Sequence, residues 1–200
     1  RDIMGDIIRF NNAYIKGYAS AVGKTESEGP LGKCFDLIEN DMRFGEENWE
    51  MAESELSRRC VEILLKKCKI NGDYVSLITG GDLLNQCIAS AFAVSDNNIP
   101  YLGLYGACST CAEGLIVGAT MREKTEKDVI SFASSHFCSA EKQYRFPLEY
   151  GGQRTPTSQT TVTGCGSFLI SKTGKIKLSE GLIGRVKDGG ITDANNMGAA

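Results

Sequence analysis

The sequence predicts an α/β fold in which helices cover a mixed sheet. Three observations carry that expectation. Strand-like and helix-like segments alternate through the middle of the chain, the connections between them are short, and Gly or Pro punctuates most of the junctions. Residues 12–21 (NAYIKGYASA) alternate well enough for a first strand, and Gly29-Pro30-Leu31-Gly32 follows it as a turn. From Glu47 to Lys69 the apolar residues Trp49, Ala52, Leu56, Cys60, Ile63 and Leu64 step by threes and fours, the period of a helix with one buried face. Asp73 to Thr79 (DYVSLIT) reads as a strand ended by Gly80-Gly81, with Asp82 placed to cap a helix from Leu83 to about Asp96. A second such unit follows. Pro100 precedes a short strand, Tyr101 to Tyr105, Gly106-Ala107 turn the chain, and Cys108 opens a small-residue helix reaching Met121. Asp128 to Ser134 (DVISFAS) is a strand with little polarity on either face, which implies burial on both. Beyond the turn-rich stretch 149–158, Thr161 to Ser171 and Lys175 to Val186 read as an antiparallel hairpin about Thr173-Gly174, and residues 195–200 as the start of a further helix.

Composition bounds what such a chain does. The 200 residues carry 22 Lys and Arg against 25 Asp and Glu, a net charge of -3, with 42% hydrophobic and 24% charged residues. That balance suits one folded domain, or part of a larger one, rather than a disordered chain. It gives no electrostatic footprint for nucleic acid, so none is expected as a partner. The best candidate for a membrane span, Leu115 to Met121, is far too short to cross a bilayer, so any membrane role is expected to be peripheral. The opening Arg1-Asp2-Ile3-Met4-Gly5 has no initiating Met and no secretion signal, and the chain is expected to be incomplete. Eight Cys without small-domain spacing suggest reduced thiols rather than a disulfide framework, and 23 Gly imply many tight turns and close backbone approaches.

Right-handed crossovers would bring Asp82 and Cys108 to one edge of the sheet, where ligands of such folds bind. Cys108 would stand in the first turn of a helix, where backbone N–H groups favour negative charge and a thiol becomes a nucleophile or hydrogen-bond partner. A small buried Cys packed among alanines fits the same spacing. Cys108-Ser109-Thr110-Cys111 also reads as a dithiol pair. Zinc would need two further ligands, and the chain offers a single His and scattered Cys. Asp82 and Asn85 lie three apart and can face one crevice, or serve as a cap and a first-turn polar residue. His136, the sole His, follows the buried strand, as a site residue or as a hydrogen-bonded structural one. Tyr144-Arg145-Phe146 offers a guanidinium between rings, suited to a planar anion and equally to an aromatic plug with a surface Arg. Gly164-Cys165-Gly166 lacks the third Gly and the helix of a dinucleotide fingerprint, and is better explained by close packing.

Several runs together go further. Gly81-Asp82-Leu83-Leu84-Asn85-Gln86, Tyr105-Gly106-Ala107-Cys108-Ser109-Thr110, Ser134-Ser135-His136 and Tyr150-Gly151-Gly152-Gln153 closely resemble the stage V sporulation protein AD family. So do Thr161-Val162-Thr163-Gly164 and residues 190–200 (GITDANNMGAA), in register from about Tyr18 onward. Residues 1–11, Thr160 and Cys165 depart from the family's pattern. The resemblance implies a thiolase-like layered αβα fold with a mixed sheet. Residues 1–200 would be its N-terminal half, with 1–11 a divergent lead-in and 187–200 the entry to a second half. It implies a sporulation role: binding of dipicolinic acid for its uptake into the forespore, peripheral on the cytoplasmic side of the spore inner membrane. Other stage V sporulation A proteins, some membrane-embedded, would be the partners, and a homodimer follows by analogy with the fold. On the matching positions Cys108 takes the place of the thiolase nucleophile, in a pocket that Asp82, Asn85, His136 and Arg145 would line. No catalytic residue and no cofactor are assigned, beyond calcium carried with the ligand. Calcium is expected to strengthen binding, since free dipicolinate is a dianion and its calcium chelate is neutral. Two alternatives stay open: a Cys-dependent acyltransferase of ketoacyl-synthase type, completed by the second half, and a Cys108–Cys111 redox pair.

Overall fold

The computed structural model describes residues 5–84, 87–144, 161–186 and 188–192. In chain order the elements are β1 (Ile7–Arg9), β2 (Tyr14–Gly23), α1 (Lys24–Ser27), β3 (Leu37–Glu39), α2 (Trp49–Cys68), β4 (Val75–Gly81) and α3 (Ile88–Val94). They continue with β5 (Tyr101–Gly103), α4 (Thr110–Lys124), β6 (Asp128–Ser135), α5 (Phe137–Tyr144), β7 (Gly164–Ser171), β8 (Ile176–Lys177) and β9 (Glu180–Leu182). The main sheet runs β3-β2-β7-β6-β4-β5. β5, β4 and β6 are mutually parallel, β7 is antiparallel to both β6 and β2, and β3 returns parallel to β2. The sheet is therefore mixed, as expected.

α2 follows its apolar spacing. The Asn48 side chain accepts a hydrogen bond from the Met51 N–H at 2.8 Å, and Lys69 ends the helix in a left-handed conformation, φ 54°. Ala52, Leu56, Cys60, Val61 and Leu64 are buried against one face of the sheet, with Ala19, Ile78, Ile130, Phe132 and Leu169. The other face takes α4, where Ala119 joins Val129 and Ile170. α4 comes close because it carries glycine there: a Cβ on Gly114 would stand 2.3 Å from the Ser131 hydroxyl. With a helix layer on each face, β6 is buried on both sides, as its apolar run implies.

Two local expectations change. The helix expected from Leu83 begins only at Ile88, because Cys87 is left-handed at φ 54° and cannot continue a right-handed helix. The hairpin expected about Thr173-Gly174 does not pair its two strands. Both edges of β7 are occupied by β2 and β6, so β8 pairs with β2 and β9 with β1. The helix start read at 195–200 lies outside the described residues.

Candidate functional site

The register brings three strand ends together. Gly80 lies opposite Gly103 of β5 and Phe132 of β6, so the chain leaves β4, β5 and β6 at one level of one sheet edge. Asp82, Cys108 and His136 all follow those ends within a few residues. Close packing fixes the edge, since a Cβ on Gly81 would fall 1.9 Å from the Leu104 carbonyl oxygen.

Cys108 sits in a short 3-10 turn, Ala107–Ser109, that runs directly into α4. Ala107 is left-handed, φ 48°, a conformation that costs energy for any residue with a Cβ. Neighbouring hydrogen bonds hold it. Ser109 Oγ donates to the Gly106 carbonyl at 2.7 Å, and the Gly106 N–H donates to Thr110 Oγ1 at 3.1 Å. This is the elbow expected from Gly106-Ala107, and it leaves the Cys108 thiol exposed rather than packed. No side chain caps the start of α4, and the N–H of its first residue, Thr110, is taken by the Ala107 carbonyl of the 3-10 turn. Glu113 lies in the same turn: a Cβ on Gly106 would approach its Oε2 to 2.5 Å. Cys111 is also an exposed free thiol.

Asp82 is 1% exposed, and both its oxygens are used. Oδ1 accepts from the Leu84 N–H at 2.8 Å, and Oδ2 accepts from the Ser90 N–H at 2.7 Å and from Ser90 Oγ at 2.5 Å. The expected cap is therefore real but remote, serving the third residue of α3 from eight positions away. Cys87 Sγ donates to the Leu104 carbonyl and Tyr101 Oη to that of Gly80, tying the same loop to β5. Burial pushes the Tyr101 hydroxyl up to about 12, which keeps it a neutral donor.

His136 is fully buried. Its Nε2–H donates to the Met42 carbonyl at 2.8 Å, and Nδ1 accepts from the Cys138 N–H at 3.2 Å. Burial holds the ring below its ordinary pKa, and it packs against Trp49 and Phe137 at 5.5 and 5.1 Å between centroids. Of the two readings left open for this residue, these contacts are those of a structural histidine. Asn85 and Arg145 lie outside the described residues.

One carboxylate escaped the sequence reading. Glu53 of α2 is fully buried, with Ser134 Oγ at 3.2 Å from Oε1 and Ser139 Oγ at 2.5 Å from Oε2. The signal was an acid inside the stripe Trp49, Ala52, Leu56, Cys60. Among the described residues no three His, Cys, Asp or Glu side chains converge as metal ligands.

A mixed sheet between helical layers, with an exposed cysteine on a strand-to-helix elbow, is a thiolase-like fold. The fold is similar to 3-oxoacyl-(acyl carrier protein) synthase III of Xanthomonas oryzae pv. oryzae KACC10331, with TM-score 0.53 and 12% identity over 82% of this chain and 57% of that one. It is similar also to the H285A variant of OleA from Xanthomonas campestris, with TM-score 0.54 and 15% identity over 82% of this chain and 57% of that one. At such identities the likeness concerns the fold alone. The sequence model of the Stage V sporulation protein AD (SpoVAD) family matches residues 6–200. Stage V sporulation protein AD of Bacillus subtilis (strain 168) is 38% identical over 189 residues, 94% of this chain and 56% of the relative. The chain belongs to the stage V sporulation protein AD family, and spans a little over half the length of that relative.

Proposed function

We propose that this chain is the N-terminal half of a sporulation protein that binds dipicolinate at the sheet edge around Cys108, for its uptake into the forespore. The exposed elbow carries the reading: an accessible thiol at the positive end of a fifteen-residue helix suits the carboxylates of a small flat diacid. Asp82 serves the site by fixing the loop from Leu84 to Ser90, since its own oxygens are already engaged. Asn85 and Arg145 complete the pocket in this reading. Glu113 in the same turn would repel the free dianion and tolerate the neutral calcium chelate, whose metal accepts further oxygen ligands. Calcium therefore strengthens binding. Calorimetry on the full-length protein tests this. Dipicolinate should bind roughly tenfold tighter with calcium, and Cys108→Ala or Asp82→Ala should each weaken it by a similar factor. An affinity untouched by calcium and by both substitutions overturns the reading.

The exposure of Cys108 also favours a second reading, acyl transfer, in which its thiolate attacks an acyl thioester and the leaving thiolate takes up a proton. Incubation with an acyl thioester should then add one acyl mass to the wild type and none to Cys108→Ala. An unchanged intact mass in the wild type removes it. For the whole protein we place the site on the cytoplasmic side of the spore inner membrane, in a homodimer beside membrane-embedded stage V sporulation A proteins. No helix among the described residues is long and apolar enough to cross a membrane.

A further inference from the structure

Among the described residues two carboxylates are wholly buried, and the structure treats them differently. Asp82 accepts two backbone N–H groups and a hydroxyl. Glu53 meets only two hydroxyls, one at the end of β6 and one in α5, so a single side chain of α2 spans three elements. No cation among the described residues balances it. The titratable groups acting on it from neighbouring elements are Asp82, in the loop after β4, and the Cys165 thiol of β7. The imidazole of His136, between β6 and α5, is held neutral by burial.

The hydrogen bonds are complete when Glu53 carries a proton. Its hydroxyl then donates to Ser139 Oγ, which donates in turn to the His136 carbonyl at 3.3 Å, while Ser134 Oγ donates to Oε1. Ionised, Glu53 draws the Ser139 hydroxyl away from that carbonyl and leaves an unbalanced charge inside the core near Asp82. Burial accordingly pushes Glu53 up to about 7.

We propose that Glu53 is a proton-operated tie. Protonated, it clamps the β6–α5 corner to α2 and keeps the ligand edge formed; ionised, it releases that corner. The consequence for dipicolinate affinity rests on the ligand-binding reading above, whereas the tie itself does not. Glu53 is a positioning residue here, acting through Ser134 and Ser139.

The test is amide hydrogen exchange of residues 136–140 in the full-length protein at about pH 6 and about pH 8, corrected for intrinsic rates, with dipicolinate titrations alongside. The wild type should exchange roughly tenfold faster at the higher pH. Glu53→Gln should stay slow at both, since its amide keeps the neutral hydrogen bonds, and Ser139→Ala should be fast at both. Dipicolinate remains a dianion across this window, so a fall in wild-type affinity that Glu53→Gln abolishes follows the tie. A wild type without pH dependence, or a Glu53→Gln protein that keeps it, overturns the proposal. Should Glu53→Gln fail to fold, Ser139→Ala decides, and a wild-type pH response in that variant is equally fatal. Exchange as expected, with no dipicolinate bound at either pH, supports the tie and sinks the ligand reading.

Discussion

At the scale of single residues, titration of the core sets how stability depends on pH. Glu53 binds its proton more tightly in the folded chain, up to about 7 against an ordinary 4.5. Its contribution is therefore full below the unfolded value and is lost as pH rises through the folded one, about 3 kcal/mol across the window. His136 acts in the opposite sense. Its lowered pKa gives stability that is present above the ordinary imidazole value and lost as pH falls. Thermal melting from about pH 5 to about pH 8 should show the wild type falling at the alkaline end, where Glu53→Gln stays flat. Equal slopes for the two proteins would contradict the assignment. Asp82→Asn should cost about 1 to 3 kcal/mol in chemical denaturation, because an amide cannot accept from the Leu84 and Ser90 N–H groups with both its ends.

At the scale of elements, two glycines make a graded comparison. A Cβ on Gly81 meets the backbone carbonyl of Leu104 at 1.9 Å, and relieving it requires the chain just beyond β5 to move. On Gly114 the obstacle is the Ser131 hydroxyl, which can turn away. Gly81→Ala should thus lower the denaturation midpoint by more than Gly114→Ala, and the reverse order would mean that the β4–β5 junction yields more easily than its contacts imply. The same distinction between local and distant constraint explains what was legible in the sequence. α2 was legible because its spacing of threes and fours is the burial pattern itself, and the Cys108 elbow because Gly106-Ala107 states a turn locally. The start of α3 was not, because Asp82 reaches its partner from eight residues away, across a left-handed Cys87. The hairpin failed for the converse reason. Thr173-Gly174 is a sound turn signal, but the partners of β7 are chosen by β2 and β6, far away in sequence. Glu53 stayed hidden because its stripe reads as apolar with one tolerated acid, and only the arrival of Ser134 and Ser139 makes that acid a connection.

At the scale of the molecule, the sheet of the described residues ends at β5. Among those residues β5 pairs only with β4, Leu102 on it is exposed, and Phe92 of α3 is 69% exposed beside a groove of about 690 Å³ between α2 and α3. Apolar surface of this kind next to an unpaired edge favours association. The full-length protein should therefore sediment as a dimer, and Phe92→Lys with Leu102→Lys should yield monomers of unchanged helicity. Dimers that survive both substitutions would place the subunit contact elsewhere. The β6–α5 corner carries one more consequence. Trp49, the chain's single tryptophan, packs on His136 and Phe137 with the Arg43 guanidinium 4.9 Å from its ring. Its indole is thus a native optical gauge of that junction: unseating α5 would wet the ring and redden its emission, with no dye or label attached.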